Sequence, residues 1–461
     1  MRWSSIESVR RMFHASAGNA RLSSGLADAV ALLLALILVV SGCRPGGGAP
    51  SLTADQHAKN LQSFEEVWTT IRDKHWDPTL GGLDWQAVHD ELLPQAERAR
   101  SMPEARGAME AMIERLGQSH FGIIPQEIYA DVDQASGGAA GDGTTGIDVR
   151  VVEGHALVTR VEAGSPADSL GVRMGWEVVR VGEEDIPKRL KAVAERFAGK
   201  TMLPFIEARS VISRLSGPVG ETVKVRLLDG AGKRVELAIP LALARGHKIG
   251  MGNLPAQHVW FESRRLEDGA GYIAFNMFLD PAEMMPRFDA AMESFLDAPG
   301  VIIDLRGNPG GLGGMAMGMA GWLIEEQGRQ LGTMHTRMTE LKFAVLPRPQ
   351  TYRGPVAVLV DGLSASTSEI FAGGMKDLGR ARIFGARTAG AALPSMVSRL
   401  PNGDGFQYAF ANYLSYSGAV LEGEGIEPDI AIPVVRSDLL QGIDAPLQAA
   451  QAWIRGEQRG R

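Results

Sequence analysis

The sequence predicts a multi-domain α/β protein, in which a helical N-terminal segment and a β-rich segment precede a larger layered domain. Three observations support this prediction. Apolar residues recur at helical spacing in the first segment, alternating Val/Ile runs between glycine turns follow, and strand and helix signals then alternate. With 461 residues, of which 45% are apolar and 22% charged, the chain is long enough to build several cores.

The first 42 residues have the composition of a targeting segment. Four arginines accompany Ala29–Val40, an apolar run that is too short to span a hydrocarbon layer of about 30 Å. The next residues, Ser41-Gly42-Cys43, resemble a bacterial lipobox, in which the cysteine becomes the lipidated N-terminus. We therefore expect a lipoprotein signal peptide over 1–42 and a flexible tether over 43–52. A plain signal peptide or membrane anchor is the alternative.

Charge and cysteine content exclude several classes of function. The net charge is −7 and no basic block occurs, which disfavours nucleic acid as a partner. Cys43 is the only cysteine, so an internal disulfide, a cysteine metal cluster and a thiol nucleophile in the body of the protein are excluded. The histidines show no metal-ligand spacing, and we expect neither a metal nor a cofactor. Arg44 after the cysteine favours, by resemblance to lipoproteins of Gram-negative bacteria, a lipid anchor in the outer membrane facing the periplasm.

Residues 53–130 predict a small helical N-terminal domain. Apolar side chains at Phe64, Val67 and Ile71 mark one helical face, and two further helical patterns follow. Pro103 has the position of a first-turn proline in the last of these helices.

Residues 140–245 predict a β domain with a helical insertion. Val/Ile-rich stretches separated by glycine turns indicate short antiparallel strands, and Glu221–Leu241 predicts a closing hairpin. The stretch GSPADSLGVRMGWEVVRVG resembles the PDZ domain of bacterial tail-specific proteases. Pro187–Pro218 is then a helical insertion that ordinary PDZ domains lack. A PDZ domain binds an extended peptide by strand addition, although one that serves only for packing remains an alternative.

Residues 250–437 predict an α/β core, followed by a C-terminal helix or tail over 438–461. Buried strands of such a sheet bind ligands at their carboxyl ends. Two motifs occupy such ends: Asp304–Gly311, with the sequence DLRGNPGG, and a serine-rich turn with the sequence SASTSE that leads into a helix. A serine in such a strand–turn–helix segment is either a helix cap or a nucleophile.

The blocks GYIAFNMF, DLRGNPGG, GLSASTSEIFAGGMKDLGRARIFG and GIEPDI resemble, in this order, the C-terminal-processing (tail-specific) serine peptidase family. The resemblance implies a ClpP/crotonase-like α/β protease core with Ser366 as nucleophile. It also implies an oxyanion hole built from the N–H of Gly310 or Gly311 and the N–H of Thr367. Glycine is needed there because it lets the backbone approach the substrate closely.

The general base differs from the usual one of this family. Well-known members use a lysine 25 residues after the serine, but that position holds Ala391 and no lysine follows Asp377. The segment LGQSH resembles the tricorn-core branch of the superfamily, in which a Ser-His pair supplies the base. This implies His120 as base with Ser119 beside it. A glutamate before the final GIEPD block, Glu422 with Glu424 as its rival, then supports the imidazolium.

These features predict a lipid-anchored serine endopeptidase of the cell envelope. It would cleave protein or peptide substrates, docked through the PDZ domain. The alternative is a catalytically inactive lipoprotein that binds peptides or hydrophobic ligands on the same fold.

Overall fold

The computed structural model describes residues 51–128 and 142–459. The predicted signal peptide, the lipidation site Cys43 and most of the tether lie outside the described residues, as do residues 129–141 at the junction of the predicted helical and β domains. Within the two described ranges, no helix is long and apolar enough to cross a membrane.

The N-terminal segment forms the predicted helices. At each helix start a Ser, Thr or Asp side chain accepts a hydrogen bond from an amide of the first turn, which fixes where the helix begins. Pro103 lies in the first turn of the third helix, as predicted. The elements are α1 (Ala54–Lys74), a 3₁₀ turn (Leu80–Gly82), α2 (Trp85–Arg98), α3 (Met102–Glu114) and β1 (Gly122–Ile124).

The β domain is built on an antiparallel sheet in the order β3-β4-β5-β8-β9, with β6 paired to β5. The predicted strands, the closing hairpin and the helical insertion are confirmed, and the insertion consists of α5 and α6. The elements are β2 (Gly143–Thr144), β3 (Ile147–Val152), β4 (His155–Val161), α4 (Pro166–Ser169), β5 (Glu177–Val181), β6 (Glu184–Asp185), α5 (Ile186–Arg196), α6 (Leu203–Ile212), a 3₁₀ turn (Ser213–Leu215), β7 (Ser216–Gly217), β8 (Thr222–Leu228), β9 (Arg234–Pro240) and β10 (Ala242–Leu243).

The core domain contains a six-stranded sheet in the order β13-β14-β15-β18-β19-β23, parallel except for β13, with β23 formed by Ile430–Ala431. The predicted α/β core is confirmed: a buried strand precedes each of the two motifs, and a helix follows the serine turn. The elements to this point are β11 (His247–Ile249), β12 (Gln257–Val259), β13 (Phe261–Arg265), β14 (Gly271–Phe275), α7 (Pro281–Ser294), β15 (Val301–Asp304), α8 (Gly313–Ala320), β16 (Gln330–Thr336), β17 (Glu340–Ala344), β18 (Val356–Val360), α9 (Thr367–Asp377) and β19 (Arg382–Gly385).

The last part of the chain adds strands that the sequence did not indicate. A sheet β17-β16-β22 covers one side of the core, and a hairpin of β20 and β21 extends toward the N-terminal helices. The remaining elements are β20 (Ser395–Arg399), β21 (Gly405–Ala409), β22 (Ala411–Ser415), β23 (Ile430–Ala431), α10 (Arg436–Leu440) and α11 (Ala445–Arg459). Helix α11 buries Ala450 and Ile454 against the main sheet, so residues 438–461 contain a helix of the core.

The N-terminal helices share one hydrophobic core with the β20–β21 hairpin. Phe64, Val67 and Met109 pack in the same cluster as Phe406 and Tyr408. Strand β1 continues this contact by pairing antiparallel with β21. The helical segment is therefore held directly against the α/β core, and the residues after α3 are carried toward the serine turn.

Candidate active site

Two turns lie side by side at the carboxyl edge of the main sheet. Strands β15 and β18 are parallel neighbours, so the glycine-rich turn and the serine turn leave the sheet at the same place. The outer serines join the two turns: Ser364 Oγ donates to Leu305 O at 2.7 Å, and Ser368 Oγ donates to Asn308 O at 2.9 Å. Because these two hydroxyls are engaged, the middle serine differs from its neighbours.

Ser366 is that middle serine. It is buried, and its Oγ has no hydrogen-bond partner among the described residues. Its backbone adopts φ +55°, which costs a non-glycine residue about 1–3 kcal/mol and occurs mainly at functional sites. The residue stands between β18 and α9, on a strand–turn–helix segment that raises the side chain at a helix N-terminus. A strand–turn–helix segment of this kind is compatible with the nucleophile role that the sequence predicts for Ser366.

The glycine-rich turn lies against Ser366. A Cβ atom on Gly310 would come within 2.7 Å of both Ser366 Cβ and Thr367 N, so only glycine fits there. The N–H of Gly310 donates to Asn308 Oδ1 at 2.9 Å and is therefore engaged. In the described part of the chain, the N–H groups of Gly311 and Thr367 have no acceptor. Of the two glycines expected for an oxyanion hole, Gly311 is thus the one with a free donor.

His120 is buried and also has positive φ, at +60°. Its Nδ1 lies 2.7 Å from Ser119 Oγ, and the same hydroxyl donates to Glu422 Oε2 at 2.7 Å. The Ser119 hydroxyl has a single hydrogen, which it gives to the carboxylate, so it accepts the hydrogen of Nδ1. Nε2 then carries a lone pair, as a general base requires. Burial lowers the pKa of His120 to about 3, which keeps the ring neutral.

Glu422, rather than its rival Glu424, reaches the histidine side. The Glu422 carboxylate accepts the N–H of Ser119 at 2.7 Å and the N–H of Ala392 at 3.1 Å, besides the Ser119 hydroxyl. Burial raises the pKa of Glu422 above its usual value, against the effect of these hydrogen bonds. Glu424 is exposed.

The loop after β19 connects the serine turn with Glu422 on the His120 side. Ser366 N donates to Ala391 O at 2.8 Å, and the next residue, Ala392, donates to Glu422. The structure therefore brings all predicted site residues of the body of the chain into one connected cluster. The hydrogen bond expected between His120 Nε2 and Ser366 Oγ is not formed, however, and neither atom has a partner among the described residues.

The insertion helix α6 covers this cluster. Phe205 and Ala208 pack with Leu363, Ala365 and Ala391, which flank the serine and form the connecting loop. The segment before α6 contacts the histidine side. Thr201 Oγ1 donates to Gly423 O, beside Glu422, and Lys200 Nζ donates to Gly117 O, near Ser119, at 3.5 Å. The insertion thus packs on the residues around Ser366 and contacts the segments beside Ser119 and Glu422, and both Ser366 and His120 are fully buried.

The sequence interpretation gave no role to Glu369. This buried residue lies one turn into α9, and its carboxylate accepts hydrogen bonds from Ser366 N, Gly390 N and Ala391 N. Burial raises its pKa to about 7. The sequence did contain a signal for this contact, the capping-box pattern of Ser366 followed three residues later by Glu369. In a capping box the glutamate side chain accepts a hydrogen bond from the N–H of the N-cap residue.

Outside this cluster, the described residues contain one grouping with metal-ligand geometry. Ligand atoms of His247, Asp280 and Glu283 lie within 4.8 Å of one another. His247 Nε2 is 2.7 Å from Asp280 Oδ2, and Arg287 is 2.7 Å from a Glu283 oxygen. These contacts form a hydrogen-bonded group at the start of α7 that includes the Arg287–Glu283 ion pair.

Comparison with known proteins matches two parts of the chain to protease domains. Peptidase family S41 matches residues 269–432, which include the two turns and Glu422, and the tricorn protease C1 domain matches residues 56–113, the N-terminal helices. The carboxyl-terminal-processing peptidase 3 of Arabidopsis thaliana, a chloroplastic protein, is 26% identical over 88% of this chain and 76% of its own.

A carboxyl-terminal-processing protease of Synechocystis is 23% identical over 89% of this chain and 90% of its own. Among solved structures, a photosystem II D1 C-terminal processing protease has the same fold. It superposes with a TM-score of 0.54 at 20% identity, and covers 86% of this chain and 99% of that one. The two domain matches and the long relatives agree: the chain carries a peptidase family S41 domain, and the proteins similar to it over most of its length are named carboxyl-terminal-processing proteases, which are serine peptidases.

Proposed function

We propose that the protein is a serine endopeptidase that cleaves protein or peptide substrates with Ser366 as nucleophile and His120 as general base. Ser366 Oγ attacks the scissile carbonyl carbon while its proton passes to His120 Nε2. His120 then returns the proton to the leaving amine, and water hydrolyses the acyl-enzyme. The N–H groups of Gly311 and Thr367 stabilise the oxyanion, and Glu422 supports the imidazolium through Ser119.

One observation supports this proposal above all. A continuous set of hydrogen bonds runs from the Ser366 backbone through Ala391 and Ala392 to Glu422, Ser119 and His120. At its two ends, the Ser366 Oγ and the His120 Nε2 are the groups left without partners. Buried polar atoms are nearly always paired, so two unpaired reactive atoms in one cluster favour a function that pairs them later.

Catalysis in this arrangement needs an opening of the site. Since α6 covers the serine turn and the connecting loop, a substrate reaches Ser366 only when α6 moves away. Active-site hydrogen bonds are often long in unliganded enzymes and shorten in the substrate complex. We therefore propose that the displacement of α6 and the formation of the Ser366–His120 hydrogen bond occur together.

The β domain would act as a PDZ-like docking module. Strand β3 is at the end of its sheet, and a cavity of about 430 Å³ lies between β3, α6 and the core. An extended peptide would add to the free edge of β3. At the other end of the chain, lipidation of Cys43 would hold the enzyme at the cell envelope, on the periplasmic face of an outer membrane.

The catalytic proposal is tested with a fluorophosphonate probe, which reacts with activated serines, and with fluorescein-labelled casein as a general protein substrate. We expect the wild type to be labelled and to hydrolyse casein. Ser366→Ala should abolish both activities, and His120→Ala should reduce them by at least about 10². Labelling that survives His120→Ala would remove histidine as the base. A wild type without labelling would support the inactive binding protein instead.

The anchor is tested separately. Expression in a Gram-negative host with labelled palmitate should give a labelled protein in the outer-membrane fraction. Cys43→Ala should abolish the label and move the protein out of that fraction. Membrane localisation that is unchanged in Cys43→Ala would contradict the lipid anchor.

A further inference from the structure

We propose that Glu369 is a positioning residue of the active site, which holds Ser366 in register with the loop that leads to His120. The inference rests on the proposed function, because it assigns a role in that same reaction. It concerns a residue that neither reacts nor contacts the substrate, and it explains how this chain organises a site whose loop lacks a lysine.

The contacts of Glu369 are all with hydrogen-bond donors. One carboxylate oxygen accepts hydrogen bonds from the backbone N–H groups of Ser366 and Ala391, each at 3.0 Å. The other oxygen accepts from the N–H of Gly390 at 2.8 Å and from the hydroxyl of Thr388 at 2.6 Å. The Thr388 hydroxyl accepts the N–H of Ile426 at 2.6 Å, so its own hydrogen is directed to Glu369. Four donors around two oxygens fit an ionised carboxylate, which has acceptor sites only.

These contacts join the segment that carries Ser366 to the loop that contacts Glu422 on the His120 side. Ser366 is on the N-terminal end of α9, while Gly390 and Ala391 belong to the loop after β19. The next amide of this loop, that of Ala392, donates to Glu422. Consecutive amides are thus held by two different carboxylates, and the loop is fixed between them. Any rotation of the loop would change the distance between Ser366 and the His120 side.

Glu369 also acts on the conformation of Ser366 itself. The positive φ of Ser366 is unfavourable and persists only where surrounding contacts impose it. The Ser366 N–H is shared between Glu369 and Ala391 O, and Glu369 holds Ala391 by its N–H. The carboxylate therefore contributes to both contacts that fix the backbone of the nucleophile.

The test uses Glu369→Gln in the full-length chain. Glutamine keeps the shape, but its NH₂ group would face two donors in place of an acceptor oxygen. With fluorescein-labelled casein, we expect kcat to fall at least tenfold and KM to change less than threefold. Glu293→Gln, the same change at an exposed position of α7, is the matched control and should leave both parameters unchanged.

A second measurement separates positioning from general destabilisation. Hydrogen exchange at the amides of Gly390 and Ala391 should accelerate at least tenfold in Glu369→Gln and stay unchanged in Glu293→Gln. Exchange in the main sheet should be the same in all three proteins. Loss of kcat together with this local acceleration supports the inference.

Two results would overturn it, and they differ. If the wild type is active and Glu369→Gln keeps its kcat within twofold, Glu369 does not position the nucleophile, although the proposed function stands. If the wild type itself neither hydrolyses casein nor reacts with the fluorophosphonate, the proposed function fails and the inference fails with it.

Discussion

The hydroxyl of Ser119 joins His120 to Glu422, at 2.7 Å from the Nδ1 of the histidine and 2.7 Å from the Oε2 of the glutamate. The carboxylate therefore acts on the imidazole through an intervening side chain. The Ser119 hydroxyl has a single hydrogen, which it donates to the ionised carboxylate. It can therefore only accept from the imidazole, so the ring hydrogen is on Nδ1. A protonated Glu422 would allow the reverse arrangement, with hydrogen on Nε2 and no base facing the serine.

Ser119→Ala should consequently reduce kcat by about 10²-fold, because the ring loses the acceptor that holds hydrogen on Nδ1. Ser119→Thr keeps a hydroxyl at the same position and should retain most of the activity. The rate of fluorophosphonate labelling measures the effect on the serine directly. Equal labelling rates for Ser119→Ala and the wild type would show that the hydroxyl has no part in the reaction.

The two glutamates before the final GIEPD block should differ in their effect. In Glu422→Gln an NH₂ group replaces one carboxylate oxygen, and a hydrogen-bond donor then faces the donors of Ser119 or Ala392. We expect kcat to fall at least tenfold. Glu424→Gln changes an exposed side chain and should leave kcat within twofold. Casein hydrolysis by the two variants decides between them. A larger loss in Glu424→Gln would reverse the assignment.

The buried imidazole makes stability depend on pH. The pKa of His120 falls from 6.5 to about 3 on folding, so its contribution to stability is present above pH 6.5 and is lost as the pH falls toward 3. Between pH 7.5 and 4.5 this amounts to roughly 2–3 kcal/mol. The denaturant-derived free energy of unfolding should therefore drop by that much more in the wild type than in His120→Gln. The raised pKa values of Glu369 and Glu422 act in both proteins, so the comparison isolates the histidine. An equal pH dependence of the two proteins would contradict the low pKa.

Helices and strands that are determined by the local sequence pattern were predictable. The helices of the N-terminal segment follow from their apolar spacing and their caps, and the strands around Asp304 and Val360 follow from runs of buried β-formers between turns. The motif around Ser366 indicated its strand–turn–helix geometry, and the structure has it.

Relationships between distant segments were not predictable in the same way. That Phe205 of the insertion packs on Ala365 depends on how the β domain sits on the core, which no local pattern encodes. The pairing of β1 with β21 brings together segments nearly 300 residues apart. The missing Ser366–His120 hydrogen bond likewise depends on how two distant segments pack, which no motif indicates.

The N-terminal helices should depend on one buried ion pair. Arg106 of α3 forms two hydrogen bonds, at 3.0 and 2.8 Å, with Asp404 in the β20–β21 hairpin, and the aspartate side chain is fully buried. Arg106→Ala would leave that charge without its cationic partner, with neutral amides of Gln126 and Asn402 as donors, and should lower the free energy of unfolding by about 3–5 kcal/mol. Arg226→Ala, which breaks an exposed pair with Glu236, should cost less than about 1 kcal/mol. Denaturant unfolding measures both, and similar losses would show that the buried pair is not what holds the helices.

The closed site should open when the contact between α6 and the serine turn is weakened. Phe205→Ala removes the largest side chain that α6 places against Leu363 and Ala365, so the open state should become more populated. We expect the fluorophosphonate labelling rate to rise about threefold to tenfold, a shift of roughly 1 kcal/mol in the opening equilibrium. Phe205→Leu conserves most of the packing and should label at nearly the wild-type rate. Because Phe205→Ala also lowers overall stability, labelling is measured well below the melting temperature, with the double variant Phe205→Ala/Ser366→Ala as blank. A labelling rate that is unchanged or lower in Phe205→Ala would mean that α6 does not control access to the serine.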